Sequence, residues 1–133
     1  MTAEDPAVSL EVLGALAEDI YAGLPEEFRS LTEGVHLMAA EHADRETLSA
    51  MGVRDPLALL GLYHGTPLAQ RLSGTHQITW PSRIYLYRQP ILRYARHHGH
   101  SVEAVIRHVL IHEIGHHFGL SDAAMAAIEA TEQ

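Results

Sequence analysis

The sequence has no cysteine in any of its 133 residues. Disulfide bonds and thiolate metal sites are therefore excluded, and nothing indicates an oxidising compartment. A transition metal would have to bind through nitrogen and oxygen atoms. The chain offers 11 histidines and 17 acidic residues that carry such atoms.

Lysine is also absent, since all nine basic residues are arginines, and the formal net charge is -8 with histidine neutral. Proteins bind phosphate backbones through clustered cations. The charge balance therefore argues against a nucleic-acid surface, and we expect no nucleic-acid partner.

Long apolar runs are missing as well. No window approaches the roughly 18 residues that a membrane helix needs, and Met1–Pro6 has neither the basic segment nor the apolar stretch of a secretory signal. We therefore expect a cytoplasmic protein with no membrane partner. The length and the 47% apolar content fit a single domain over residues 1–133, and neither property predicts an oligomeric state.

A predicted N-terminal helix is followed by a run of short strands and then by three helices. Capping residues and apolar spacing predict four main helices and a helical turn: Pro6–Gly23, Asp44–Met51 (the turn), Pro90–His98, Ser101–Phe118 and Ala123–Ala130. Short β-rich runs predict four strands: Val35–Ala40, Leu57–Tyr63, Ile78–Trp80 and Arg83–Arg88. Short strands followed by helices indicate an α+β fold in which a small mixed sheet packs against helices.

The predicted helix Ser101–Phe118 is apolar around most of its circumference. A helix of this kind is a central, buried one. His112, Glu113 and His116 are therefore expected in or beside the core. Buried polar groups need partners, and a metal ion is a common partner of histidine.

An HExxH run begins at His112 in this helix. His112 and His116 are four residues apart, so they lie on one helix face and two imidazoles at this spacing can bind one zinc ion. Glu113 lies about 100° further round the helix, where it can face a metal-bound water without taking the metal. The spacing therefore predicts a zinc site with a general base beside it.

A third ligand is expected after the helix, because a tetrahedral site with one open position needs three protein ligands. Gly119 permits the positive φ of a chain reversal, and Asp122 follows three residues later. Asp122 is alternatively a helix cap, as is Ser121. His108 is a less suitable third ligand, because the rise from His108 to His116 is about 12 Å on a straight helix.

The HExxHxxGxxD pattern resembles that of the zincin metallopeptidases with an acidic third ligand. Three blocks resemble in particular the small, minimal bacterial zincin-like metallopeptidases: Leu60–Gly65, Ile84–Leu92 and Val109–Asp122. The resemblance implies a zincin-like fold with a central metal-binding helix and a Zn²⁺ cofactor. It also implies His112, His116 and Asp122 as metal ligands, Glu113 as the catalytic acid/base, and a peptide or protein substrate.

The implied reaction is peptide hydrolysis, in which Glu113 takes a proton from the zinc-bound water and returns it to the leaving amine. Four side chains are candidates for stabilising the oxyanion: Tyr63, His64, His76 and Tyr87. By resemblance, Arg83–Arg88 is the edge strand that would align an extended peptide through backbone hydrogen bonds.

Two other functions fit parts of the pattern. One is a zinc-binding regulatory module without turnover, which the small size favours. The other is a zinc-dependent RNA-processing enzyme with a histidine-rich helix. The glutamate at position 113 and the acidic charge balance both disfavour the RNA enzyme.

Overall fold

The computed structural model describes residues 8–64 and 82–130, and it has an α+β fold, as the sequence predicts. Six α-helices are described: α1 (Leu10–Ala22), α2 (Glu26–Leu31), α3 (Arg45–Ala50), α4 (Arg88–His98), α5 (Val102–His117) and α6 (Asp122–Ala130). The described strands are β1 (His36–Ala40), β2 (Gly61–His64) and β3 (Arg83–Tyr87). None of the described helices is long and apolar enough to cross a membrane.

The three described strands form one mixed sheet in the order β1-β3-β2. β3 pairs in parallel with β1 and antiparallel with β2. The expectation that Arg83–Arg88 is an edge strand is therefore wrong for the described sheet, because β3 has a partner on both sides. Of these strands, β1 and β2 form the edges.

Local sequence signals explain most element ends. Side chains of Ser9, Asp44 and Ser101 cap the first turns of α1, α3 and α5. The predicted strand Leu57–Tyr63 is only half correct, because residues Pro56–Ala58 form a 3-10 turn before β2 begins. The predicted strand Ile78–Trp80 lies outside the described residues.

Helix α5 lies at the centre of the fold. It packs against α1, α4, α6, β2 and β3. Eight of its residues are buried: Val102, Val105, Ile106, Val109, Leu110, Ile111, Ile114 and Gly115. The apolar circumference therefore predicted its central position correctly.

Helix α6 packs closely against α5 at Gly115. A β-carbon at this position would lie 2.6 Å from the Sδ atom and 3.0 Å from the Cγ atom of Met125, a residue with no exposed surface. These distances are shorter than van der Waals contact. The glycine within the HExxH run therefore sets the distance between the two helices.

Replacing Gly115 with alanine is expected to lower the free energy of unfolding by about 1–3 kcal/mol, because Met125 has to move in a filled core. Gly14→Ala is the matched control, since Gly14 also lies inside a helix but has no atom within 4 Å of an added β-carbon. That control is expected to raise stability by about 0.5–1 kcal/mol. Urea unfolding of both variants measures the difference, and equal effects would contradict the close contact.

Candidate metal centre

The chain reverses direction immediately after α5, at Gly119. This glycine has φ +79°, as the sequence predicted for the reversal. The N–H of Gly119 donates to the His116 carbonyl at 3.2 Å, and the N–H of Leu120 donates to the Gly115 carbonyl at 2.9 Å. This pair of bonds satisfies the last carbonyls of α5 and leads the chain into α6.

Helix α6 runs back along α5. The Arg107 guanidinium of α5 donates to the carbonyls of Ile128 and Glu129 at 2.9 and 3.0 Å, while Met125 lies against Gly115. The C-terminal part of α6 therefore contacts the middle of α5, and the middle of α6 contacts the C-terminal part of α5. The two helices are antiparallel, and these contacts fix their register.

The two histidines of the HExxH run lie one turn apart on α5, as predicted. Their ring centroids are 6.3 Å apart and the rings are inclined at 48°. The His112 side chain is half-buried, whereas His116 is exposed. Both rings are accessible to an ion from solvent.

Asp122 is the first residue of α6 and is exposed. The capping bond of this helix comes from Ser121, whose Oγ accepts from the Ala124 N–H at 3.0 Å. Ser121 thus performs the capping role that we considered for Asp122. Among the described residues, the structure does not bring the Asp122 carboxylate into a ligand group with His112 and His116, and its role as a ligand stays a prediction.

A different set of side chains meets at His112. The described residues contain one group of three whose ligand atoms all lie within 4.8 Å of one another, namely His108, His112 and Glu129. Glu129 Oε1 is 2.8 Å from both His108 Nδ1 and His112 Nε2. The His108 and His112 ring centroids are only 4.1 Å apart, closer than those of His112 and His116.

Sequence reasoning did not find His108 and Glu129 as a pair. The distance argument against His108 concerns three histidines of one helix around one ion, and it does not apply to two histidines and a residue of the next helix. One signal was present: Asp122, Met125 and Glu129 are spaced i, i+3 and i+7, which places them on one stripe of α6. Which residues of α5 this stripe faces depends on the direction and register of α6 along α5, and the spacing does not give either.

Glu113 lies between α5 and β2. The backbone N–H of Tyr63 interacts with its carboxylate, and the Glu113 Cγ is 3.8 Å from the position of a β-carbon on Gly61. Burial raises the pKa of Glu113, while His116, the Tyr63 N–H and His112 lower it to a smaller extent. A half-buried carboxylate beside both histidines suits a group that takes up and releases a proton.

The close approach of β2 to α5 depends on Gly61. An added β-carbon there would be 2.6 Å from Val109 Cγ1 and 3.0 Å from the Tyr85 carbonyl oxygen. Glycine is therefore required for the strand to lie directly on the helix.

The four oxyanion candidates have different surroundings. The Tyr63 hydroxyl is buried and hydrogen-bonded to Ser82 Oγ at 3.0 Å, and its ring stacks on His117 with centroids 4.2 Å apart. Tyr87 is buried, and this burial together with Tyr85 raises its pKa. His64 is exposed at the end of β2, and His76 lies outside the described residues.

The side chains around His112 fit a zinc ion. Imidazole nitrogens and carboxylate oxygens are zinc ligands, and His108 and Glu129 supply them within 4.8 Å of the His112 ligand atom, while His116 lies one turn further along α5. Glu129 Oε1 is buried and makes no hydrogen bond of acceptable geometry among the described residues, although two imidazole nitrogens lie 2.8 Å away. A buried carboxylate oxygen in such surroundings favours a cation.

Comparison with known proteins identifies a family for this chain. A search of curated proteins finds no match. A scan against protein-family models matches residues 32–131, which include both the sheet and the HExxH helix, to the zincin-like metallopeptidases. The chain therefore belongs to the zincin-like metallopeptidase family.

Proposed function

We propose that this protein is a zinc-dependent metallopeptidase that hydrolyses peptide bonds. His112, His116 and Asp122 are the proposed zinc ligands, and Glu113 is the proposed catalytic acid/base. The observation that carries the proposal is the position of Glu113, which is half-buried between the first histidine of the run and the edge strand β2.

The proposed ligands belong to two elements joined by the Gly119 reversal. His112 and His116 lie on α5, and Asp122 begins α6 only five residues after α5 ends. Because Ser121 caps α6, Asp122 is not needed as a cap. When bound, zinc supplies Lewis-acid polarisation of a peptide carbonyl and of water.

Glu113 moves the proton in this proposal. Its carboxylate accepts a proton from the attacking water and then donates that proton to the leaving amine nitrogen. The Tyr63 N–H holds the carboxylate against β2, and the partial burial raises its pKa, which strengthens it as a base. Because Glu113 directly follows His112 in α5, its carboxylate lies close to the proposed metal ligands.

β2 is the proposed strand along which the substrate aligns. It pairs with β3 on one side, and no described strand pairs with its other edge. An extended peptide added there would form backbone hydrogen bonds with little dependence on its side chains. Glu113 contacts this strand at Tyr63, so the added peptide would lie near the base.

Removal of zinc tests the proposed function. We expect the zinc-loaded protein to cleave unstructured peptides, to lose this activity on treatment with a chelator, and to regain it when about one equivalent of zinc per chain is restored. Mass spectrometry of a defined peptide mixture identifies the new termini. Peptides that stay intact with zinc bound would favour the regulatory module without turnover.

A further inference from the structure

His112 belongs to two candidate donor sets, one proposed from the HExxH run and one that the structure brings together. One is the proposed catalytic set with His116 and Asp122. The other consists of His108, His112 and Glu129, whose ligand atoms the structure already places within 4.8 Å of one another. The second set joins two turns of α5 to the last turn of α6.

The distances in the second set are close to those around a zinc ion. Bonds of about 2.0–2.1 Å in a tetrahedral site place neighbouring ligand atoms roughly 3.3 Å apart. The two nitrogen to oxygen distances here are 2.8 Å each. Small outward movements of the side chains would therefore admit an ion.

The surroundings of the second set leave one side open. A cavity of about 400 Å³ adjoins it, lined in part by Tyr94, His100, Arg107, His108 and Glu129. Three protein ligands beside an open cavity leave the fourth position of a tetrahedral ion free for water or another small ligand. This cavity does not include the face of β2, against which Glu113 lies.

The backbone around the second set is fixed without an ion. Arg107, which directly precedes His108 in α5, donates to the carbonyls of Ile128 and Glu129, and Met125 is buried against Gly115. Glu129 is thereby held opposite His108 and His112. Such preorganisation lowers the cost of binding an ion.

We propose that His108, His112 and Glu129 form a second site for zinc or a similar divalent transition metal, which alternates with the catalytic set. The two sets exclude each other because a neutral imidazole has one acceptor nitrogen, so His112 serves one ion at a time. The native chain therefore binds one ion per chain in total. The inference shares a ligand with the proposed catalytic site but does not require turnover.

Zinc titration of variants tests the second site. The background variant carries His116→Ala and Asp122→Asn, which removes both unshared donors of the catalytic set. We expect it to bind about one zinc per chain and to gain several degrees in melting temperature with saturating zinc, because the ion joins α5 to α6. Calorimetric titration with zinc and thermal unfolding give the two readouts.

Glu129→Gln and His108→Ala, each added to the background variant, are expected to weaken zinc binding at least roughly 100-fold and to remove the thermal shift, because even residues that only orient ligands contribute 10–100-fold. Glu18→Gln, on the exposed face of α1, is the matched control and should change neither readout. The glutamine variant keeps the size of Glu129, so circular dichroism should show an unchanged fold.

Two results would overturn the second site: a background variant that binds no zinc, or one whose zinc affinity is unchanged by both Glu129→Gln and His108→Ala. Neither result bears on the proposed peptidase, which is tested by turnover of the native chain. In the same way, absence of peptide cleavage leaves the zinc titrations interpretable.

Discussion

Glu113→Gln is expected to lower peptide turnover by roughly 10²–10⁴-fold while zinc binding stays close to that of the native chain. Glutamine has the same shape as glutamate, but its amide cannot accept and return a proton. The contact with the Tyr63 N–H can persist through the amide oxygen, so the strand and the helix should keep their positions. Steady-state cleavage of a fluorogenic peptide, together with elemental analysis for zinc, measures both quantities.

Glu18→Gln provides the control for that experiment, since it makes the same chemical change at an exposed position of α1. It should retain full activity. Turnover by Glu113→Gln at the level of this control would exclude Glu113 as the acid/base. Loss of zinc together with activity would instead assign Glu113 a role in holding the ion.

His112→Ala has the second large expected effect, because this histidine belongs to both proposed donor sets. We expect the zinc content to fall from about one per chain to less than roughly a tenth of that value, with loss of peptide cleavage. Elemental analysis after dialysis against a metal-free buffer provides the measurement. Alanine is well tolerated in helices, so α5 should remain intact.

His36→Ala is the control for the histidine variant, because His36 is exposed on β1 and belongs to neither set. Zinc at about one per chain in the His36 variant would show that the method detects the site. Zinc at the same level in His112→Ala would refute both donor sets at once, since each of them needs this ring.

Helix ends were predictable from the sequence where a capping residue or a glycine lies at the end itself. Asp44 and Ser101 cap the helices that follow them, and Gly99 ends α4 in a left-handed conformation. Each of these residues interacts with backbone groups no more than four positions away, so a short stretch of sequence is enough to predict the helix end. The start of α4 was less clear: this helix begins at Arg88, and Pro90 lies inside its first turn.

The sheet order was not predictable, because pairing joins residues distant in sequence. β1 lies beside β3 with His36 opposite Arg83, although β2 intervenes in the chain. Strand patterns define which residues face the core, but they do not define which strand lies between two others. The expectation of an edge strand at Arg83–Arg88 failed for this reason.

The candidate site was predictable to the extent that it lies on one helix. His112, Glu113 and His116 follow from helical spacing alone. Glu129 depends on the reversal at Gly119 and on the register set by Met125, which are properties of packing. The part of Glu129 in the group with His108 and His112 therefore required the structure.

The absence of a side chain at Gly61 has a consequence for any change of substrate preference. The backbone of β2 lies directly against the Val109 side chain of α5 at this point, so the distance from a peptide aligned on β2, as proposed, to the Glu113 carboxylate depends on this contact. A bulkier residue at this point would push β2 away from α5 and, in the proposed reaction, would move Glu113 away from the scissile bond. Selectivity therefore has to evolve at other positions, where reshaping the surface leaves that spacing intact.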